Sequence, residues 1–316
     1  MKSETLIGLL LMAYGSPGDL SQMEDYLLDV RDGRPAPPEL VEEIKDRYRQ
    51  IGGTSPLLAR TTEQARALEQ ELNQRHAQAG HRFQAFVGMR HWDPRIGEAV
   101  ARMASTGIQR AVALVMAPHN SRLSIGKYYQ ALDAALTSHP IEFTRIKSWH
   151  KHPGLLDAIA ERMETGFAQF EDSLPYVIFS AHSLPTKILE GDDPYDAQLN
   201  ETAQLLAQRF DLPGDRWQFC YQSAGASAIP WLGPQIEDVV AQLAQSGERD
   251  LLVVPIGFVC DHVEVLYDID IEARQIAEQH GARLERTPSL NTAPTFIGAL
   301  ADLIEKQLLP AQDSFA

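Results

Sequence analysis

Two similar open α/β domains, each a parallel sheet flanked by helices, are predicted by three observations. Short apolar runs alternate with helical patterns of about 10 to 15 residues along the 316-residue chain, which is how βαβ units read. The apolar runs are continuous and rich in β-branched residues, as strands buried on both faces are. The rhythm also occurs twice, with one strand ending in Ala13-Tyr14-Gly15-Ser16-Pro17 and a later one in Ala181-His182-Ser183-Leu184-Pro185. Residues 1–150 are assigned to the first domain and 151–316 to the second, with the last helix expected to pack back on the first. A cleft shared by the strand ends would set Tyr14 and His182 on opposite walls.

Leu6 to Ala13 reads as the first strand, closed by the Tyr14-Gly15-Ser16-Pro17-Gly18 turn. Gln22 to Arg49 is polar and broken by Pro35, Pro37 and Pro38, so it predicts two short helices around a bend. After the Gly52-Gly53-Thr54-Ser55-Pro56 loop, Ala65, Leu68 and Leu72 fall in register on a helix over 62–76. Strands follow at 83–89, 110–116 and 141–146, separated by helices at 96–105 and 126–137. In the second half, strands at 176–181, 217–221 and 251–254 alternate with helices at 196–210 and 236–246. A helix at 274–280, a short strand near Leu284 and a last helix at 293–309 complete the reading.

The stretch from Asp250 to Glu272 changes character midway. Leu251 to Val254 is a buried strand ended by Pro255 and Gly257; from Asp261 the chain reads as helical. At about 100° per residue, Asp261, Glu264, Asp268 and Glu272 form a line of carboxylates. No Lys or Arg lies between Asp250 and Arg274 to neutralise them, and carboxylates this close raise one another's pKa unless a cation intervenes. Because the line follows the carboxyl end of a parallel strand, where open α/β sheets bind ligands, it predicts a divalent metal path.

Composition narrows the classes. A net charge of −15 argues against a general nucleic-acid binder. Two cysteines, Cys220 and Cys260, are too few for a disulfide framework or a Cys-rich metal site, and reduced thiols in a cytoplasm are expected. No apolar run approaches the roughly 18 residues that a membrane span needs. A Ser/His/Asp hydrolase is unsupported, since Gly-x-Ser-x-Gly is absent.

His182, at a strand terminus, is a candidate base or metal ligand. Tyr14 has the same standing on the other wall, whereas His91 and His119 are read as structural. Gly52-Gly53-Thr54-Ser55-Pro56 suits an anion through its backbone N–H groups. Arg31, Arg34, Arg47 and Arg49 are the densest cationic group in an acidic chain, and arginine suits bidentate carboxylate recognition.

Five ordered blocks carry a resemblance over nearly the whole chain: Tyr14-Gly15-Ser16-Pro17; Arg47-Tyr48 with Ile51-Gly52-Gly53-Thr54-Ser55-Pro56-Leu57; Ser180-Ala181-His182-Ser183-Leu184-Pro185; Gln222-Ser223 with Pro230-Trp231-Leu232-Gly233-Pro234; and Pro255-Ile256-Gly257-Phe258-Val259 through Asp268. The chain resembles the ferrochelatases, most of all the Gram-positive-type coproporphyrin III ferrochelatases. The resemblance implies Fe²⁺ insertion into a porphyrin held in a cleft between two Rossmann-like domains, a chelatase-like fold. It implies that His182 and Glu264 are catalytic and meet the metal, and that Asp268 and Glu272 are outer metal ligands. Tyr14, Arg31, Arg47, Tyr48, Ser55 and Tyr128 would surround the substrate, with Tyr14 also the axial ligand of product iron.

No cofactor beyond the Fe²⁺ substrate is implied, although a second divalent cation such as Mg²⁺ has a place near Asp268 and Glu272. Expected partners are coproporphyrin III, Fe²⁺ and a downstream coproheme-using enzyme, with a monomeric, cytoplasmic protein and neither nucleic acid nor a transmembrane segment. Two departures stand out: Arg90 occupies a position where the family leads one to expect lysine, and Ala224 to Ile229 differs from the family's run. A protoporphyrin IX ferrochelatase, another tetrapyrrole chelatase, or a non-catalytic tetrapyrrole or metal carrier stay open as alternatives.

Overall fold

The computed structural model describes residues 5–78, 80–170, 173–225 and 229–308. In the first half run β1 (Thr5–Ala13), α1 (Met23–Val30), α2 (Pro38–Gln50), α3 (Leu57–Arg75), β2 (His81–Met89), α4 (Ile96–Ser105), β3 (Arg110–Val115), α5 (Ile125–Leu136) and β4 (Glu142–Ile146). In the second run α6 (Pro153–Phe167), β5 (Tyr176–His182), α7 (Tyr195–Arg209), β6 (Trp217–Gln222), α8 (Ile236–Gln245), β7 (Asp250–Pro255), a π-helix (Val265–Ala273), α9 (Arg274–Gln279), β8 (Arg283–Arg286) and α10 (Pro294–Leu308).

The strands form two four-stranded, wholly parallel sheets, ordered β2-β1-β3-β4 and β6-β5-β7-β8. The repeat noticed at two strand ends is therefore a repeat of the whole topology, with β5 standing where β1 stands. In each sheet the first strand lies between its successor and the third strand, so the order in which strands are added reverses there while all stay parallel. That reversal opens a crevice at the carboxyl ends of β1 and β3, and likewise of β5 and β7.

Strand residues alternate between two apolar layers because successive side chains point to opposite faces. Leu9, Leu11 and Ala13 of β1 join Val177, Phe179 and Ala181 of β5 and Leu252 and Val254 of β7 in one continuous core. Leu10 and Met12 instead pack under α4 and α5, while Ile178, Leu251 and Val253 pack under α8, the π-helix and α9. Phe296 and Leu300 of α10 lie fully buried in the shared core, where α10 contacts both α3 and α6.

Polar ties reinforce that layer. Arg75 on α3 pairs with Asp302 at 2.6 Å and Glu305 at 3.0 Å, and the fully buried Gln64 donates to the carbonyls of Val259 and Asn291, both at 3.0 Å. Loops beyond β3 and β4 are bonded to α7 through His119 to Thr202 (2.9 Å) and His150 to Glu201 (2.7 Å).

One element escaped the sequence pattern. Helix α6 carries Pro153 at its first turn and buries Leu155, Ala158, Ile159 and Met163, a helical spacing opened by a proline start signal. No helix among the described residues is long and apolar enough to cross a membrane.

His119 gives the joint a pH signature. Burial, and secondarily the neighbouring His150, lowers it from 6.5 to about 3. Between those values the unfolded chain takes up a proton that the folded chain refuses, so stability falls as pH falls from about 6.5 toward 3. Relative to His119→Asn, the parent should lose up to about 1.4 kcal/mol per pH unit in that window, read by denaturant titration at pH 7 and 5.

Candidate active site

Both crevices carry side chains suited to chemistry. On the second sheet His182 is the last residue of β5, and the chain leaves β7 through Gly257 toward Glu264. Gly257 is required there: a Cβ would sit 2.6 Å from the Cβ of Ala181, so only the bare backbone lets the ends of β5 and β7 approach. The approach brings Nδ1 of His182 to 3.2 Å from Oε2 of Glu264, with both side chains about one-third exposed. This is an ion-pair contact, not an aligned hydrogen bond. Nε2 of His262 stands 3.6 Å from the same oxygen, and its Nδ1–H is donated to the Cys260 carbonyl at 3.1 Å.

Glu264 opens the π-helix, whose wider turn keeps residues four apart on about the same face. Asp268 follows, 3% exposed, accepting a hydrogen bond from Ser223 and lying 3.6 Å from Nη1 of Arg47. The Arg47 guanidinium covers the Tyr267 ring at 5.1 Å and is bonded to Glu43 at 2.9 Å. Glu272, farther along, acts on both Arg47 and Asp268. Among the described residues no group of three or more His, Cys, Asp or Glu side chains is placed to hold a metal ion, and the three acids form a row along the π-helix.

Asp261 is not part of that row. The helical turn begins beyond it, and its carboxylate is consumed by Ser289 (2.7 Å), Asn291 (2.8 Å) and Arg286 (3.4 Å). Local periodicity could not foresee these partners from a distant strand and loop.

The opposite wall is aromatic. Tyr14, 38% exposed, directly follows β1, and Gly15 makes its turn at φ 101° where a Cβ would meet the backbone N of Trp92 at 2.8 Å. Tyr48 and Tyr128 are buried, and the charge of Glu264 acts on the hydroxyls of Tyr14, Tyr48 and Tyr128. The two walls are thus within electrostatic reach. Ser55 accepts the Val263 N–H at 3.2 Å, fixing the turn before Glu264. Arg31 caps α1 and donates to the Arg34 carbonyl at 3.3 Å, at the edge of the group.

Electrostatics grade the row. Burial opposes charge on His182, but the Glu264 carboxylate outweighs it and the imidazole is raised above its ordinary value. Burial would raise Glu264, yet His182 and His262 hold it far below the usual carboxylate range. Asp268 is pushed up to about 7 by burial and then by the Glu264 charge, against the Ser223 hydrogen bond and Arg47. Tyr14 is raised to about 12 by burial and Glu264, with Arg90 opposing.

An imidazole–carboxylate pair thus lies at a sheet switch point, with further acids along the helix beyond it. The ferrochelatase family model matches residues 6–308. The chain belongs to the ferrochelatase family. It is 44% identical over 306 residues to a ferrochelatase of Deinococcus radiodurans, covering 95% of this chain and 96% of that protein. It is 42% identical to a coproporphyrin III ferrochelatase of Geobacillus kaustophilus, covering 95% of each. Among solved structures, the sirohydrochlorin chelatase SirB of Bacillus subtilis in complex with cobalt shares the fold at a TM-score of 0.54 and 11% identity, covering 98% of each chain.

Ferrochelatase activity is metal insertion into a porphyrin. In this ferrochelatase His262 and Ser223, which meet Glu264 and Asp268, are not among the site residues expected from sequence, although both lie inside the motif blocks. The unfolded chain releases the Asp268 proton near the ordinary value of 3.8 while the folded chain keeps it to about 7, so stability falls as pH rises between those values and is level above them. Asp268→Asn should therefore gain on the parent across that window, with a larger Tm advantage at pH 8 than at pH 5, measured by calorimetry.

Proposed function

We propose that this ferrochelatase inserts Fe²⁺ into coproporphyrin III, giving Fe-coproporphyrin III, in the cytoplasm and as a monomer that hands its product to a coproheme-using enzyme. The observation that carries the reading is the His182–Glu264 contact at 3.2 Å facing the tyrosine wall. Insertion must strip water from the dication and remove two pyrrole protons. Glu272, Asp268 and Glu264 offer successive hard oxygen donors, suited to passing a dication without trapping it.

His182 accepts pyrrole protons, and the Glu264 carboxylate beside it stabilises the imidazolium that forms. A second dication such as Mg²⁺ would take Asp268 and Glu272 as its two carboxylates, with water completing its shell, in competition with the Arg47 guanidinium 3.6 Å from Asp268. Arg31, Arg47, Tyr48, Ser55 and Tyr128 line the substrate in this reading, with Tyr14 meeting the iron of the product. The tetracarboxylate substrate is supported by the arginines gathered in an otherwise acidic chain and by relatives named coproporphyrin III ferrochelatases.

Anaerobic turnover with Fe²⁺ on coproporphyrin III, protoporphyrin IX and sirohydrochlorin tests the substrate. At least tenfold higher kcat/KM on coproporphyrin III is expected, a difference of about 1.4 kcal/mol in transition-state binding, and equal or better turnover of protoporphyrin IX would overturn it. His182→Ala should lower kcat by about a hundredfold or more while porphyrin binding, followed by fluorescence, is retained.

A further inference from the structure

Tyr14 is held more tightly than an exposed tyrosine needs to be for folding. The parallel register pairs Ala13 of β1 with Met89 of β2, and the pairing continues beyond both strands. Arg90 N–H donates to the Ala13 carbonyl at 2.9 Å and His91 N–H to the Tyr14 carbonyl at 2.8 Å. Two consecutive residues are thereby delivered to the tyrosine. The His91 ring centroid lies 4.6 Å from that of Tyr14, tilted by 50°, and the Arg90 guanidinium carbon lies 5.9 Å over the Tyr14 ring and 5.8 Å over that of Tyr128. Among the described residues no carboxylate comes within ion-pair distance of Arg90, so the rings are its main contact.

Behind this pair stands an anchor. His91 is 6% exposed, and its Nδ1 is 2.9 Å from Oδ2 of Asp29. A carboxylate can only accept, so Nδ1 carries the proton, and the ring is fixed in one tautomer and one orientation. Nη1 of Arg95 reaches both oxygens of Asp29 at 3.1 Å and the Arg90 carbonyl at 3.2 Å. Asp29 thus holds His91 from behind, Arg95 holds Asp29 and the Arg90 carbonyl, and the His91 ring and Arg90 guanidinium face the partly exposed phenol. A carboxylate that orients an imidazole, which in turn packs on the functional side chain, is a common way to lock a rotamer before a ligand arrives.

We propose that Asp29, acting through His91, is a positioning residue that holds the Tyr14 phenol toward the macrocycle and the iron of the bound product, with Arg90 and Arg95 completing the clamp. This rests on the reading that Tyr14 meets that iron. With the phenol fixed beforehand, the product is bound without the cost of ordering a free side chain.

The test titrates ferric coproporphyrin III into the full-length parent and into Tyr14→Phe, Asp29→Asn, Asp29→Glu and His91→Leu, reading the absorption and EPR spectra, the Kd and, separately, Tm. Asp29→Asn is expected to move the spectrum toward that of Tyr14→Phe and to raise Kd about tenfold, with Asp29→Glu restoring the parent spectrum. His91→Leu should give the same shift; should it fail to fold, the partly exposed Asp29 decides. An unchanged spectrum in Asp29→Asn, alongside a changed one in Tyr14→Phe, would refute the clamp while leaving Tyr14 as the ligand. A shift that Asp29→Glu does not reverse marks general loosening and also overturns it. If Tyr14→Phe itself leaves the spectrum unaltered, the ligand assignment fails first and takes the clamp with it.

Discussion

The contact between the His182 imidazole and the Glu264 carboxylate is the constraint on which the rest of the site depends. The two groups come from strand-end segments that are far apart in sequence, and they meet because β5 and β7 are neighbours and because Gly257 lets their ends close to within a Cβ of Ala181. Their charges are mutually sustaining. The carboxylate raises the imidazole while the two nearby imidazoles depress the carboxylate, so each group favours the charged form of the other.

From that pair the π-helix leads outward. Its turn carries Glu264, Asp268 and Glu272 in sequence, but burial makes them unequal. Glu264 is held ionised by histidines, whereas Asp268 is pushed up to about 7 and steadied by Ser223 and Arg47. Two acids of similar intrinsic strength are thereby driven in opposite directions, one turn apart. Ser223 holds its backbone at φ 60°, a costly conformation for a residue with a Cβ, in the segment that supplies the hydroxyl.

The two sheets are held in relation by a shared layer more than by a hinge. Alternate residues of β1, β5 and β7 enter one apolar core together with α10, and Gln64, Arg75 and His119 tie the halves by polar bonds. Such a frame fixes Tyr14, just beyond β1, relative to His182, at the end of β5. The outer faces have cores of their own, so each sheet is supported from both sides.

The sequence by itself determined the strands, most helices, the doubled topology and the family, because buried parallel strands read as unbroken apolar runs and the motif blocks are contiguous. It placed His182 and Tyr14 at strand ends for the same reason, and Glu264 on the helix that follows a strand. It missed α6 despite a legible proline start, and it extended the acid line to Asp261, whose partners Arg286, Ser289 and Asn291 are remote. Only the tertiary structure decided which carboxyl burial raises and which one neighbouring imidazoles lower, that His262 joins His182 beside Glu264, and that Asp29 stands behind His91. Those outcomes depend on distances and desolvation between segments dozens of residues apart, and neither periodicity nor composition contains them.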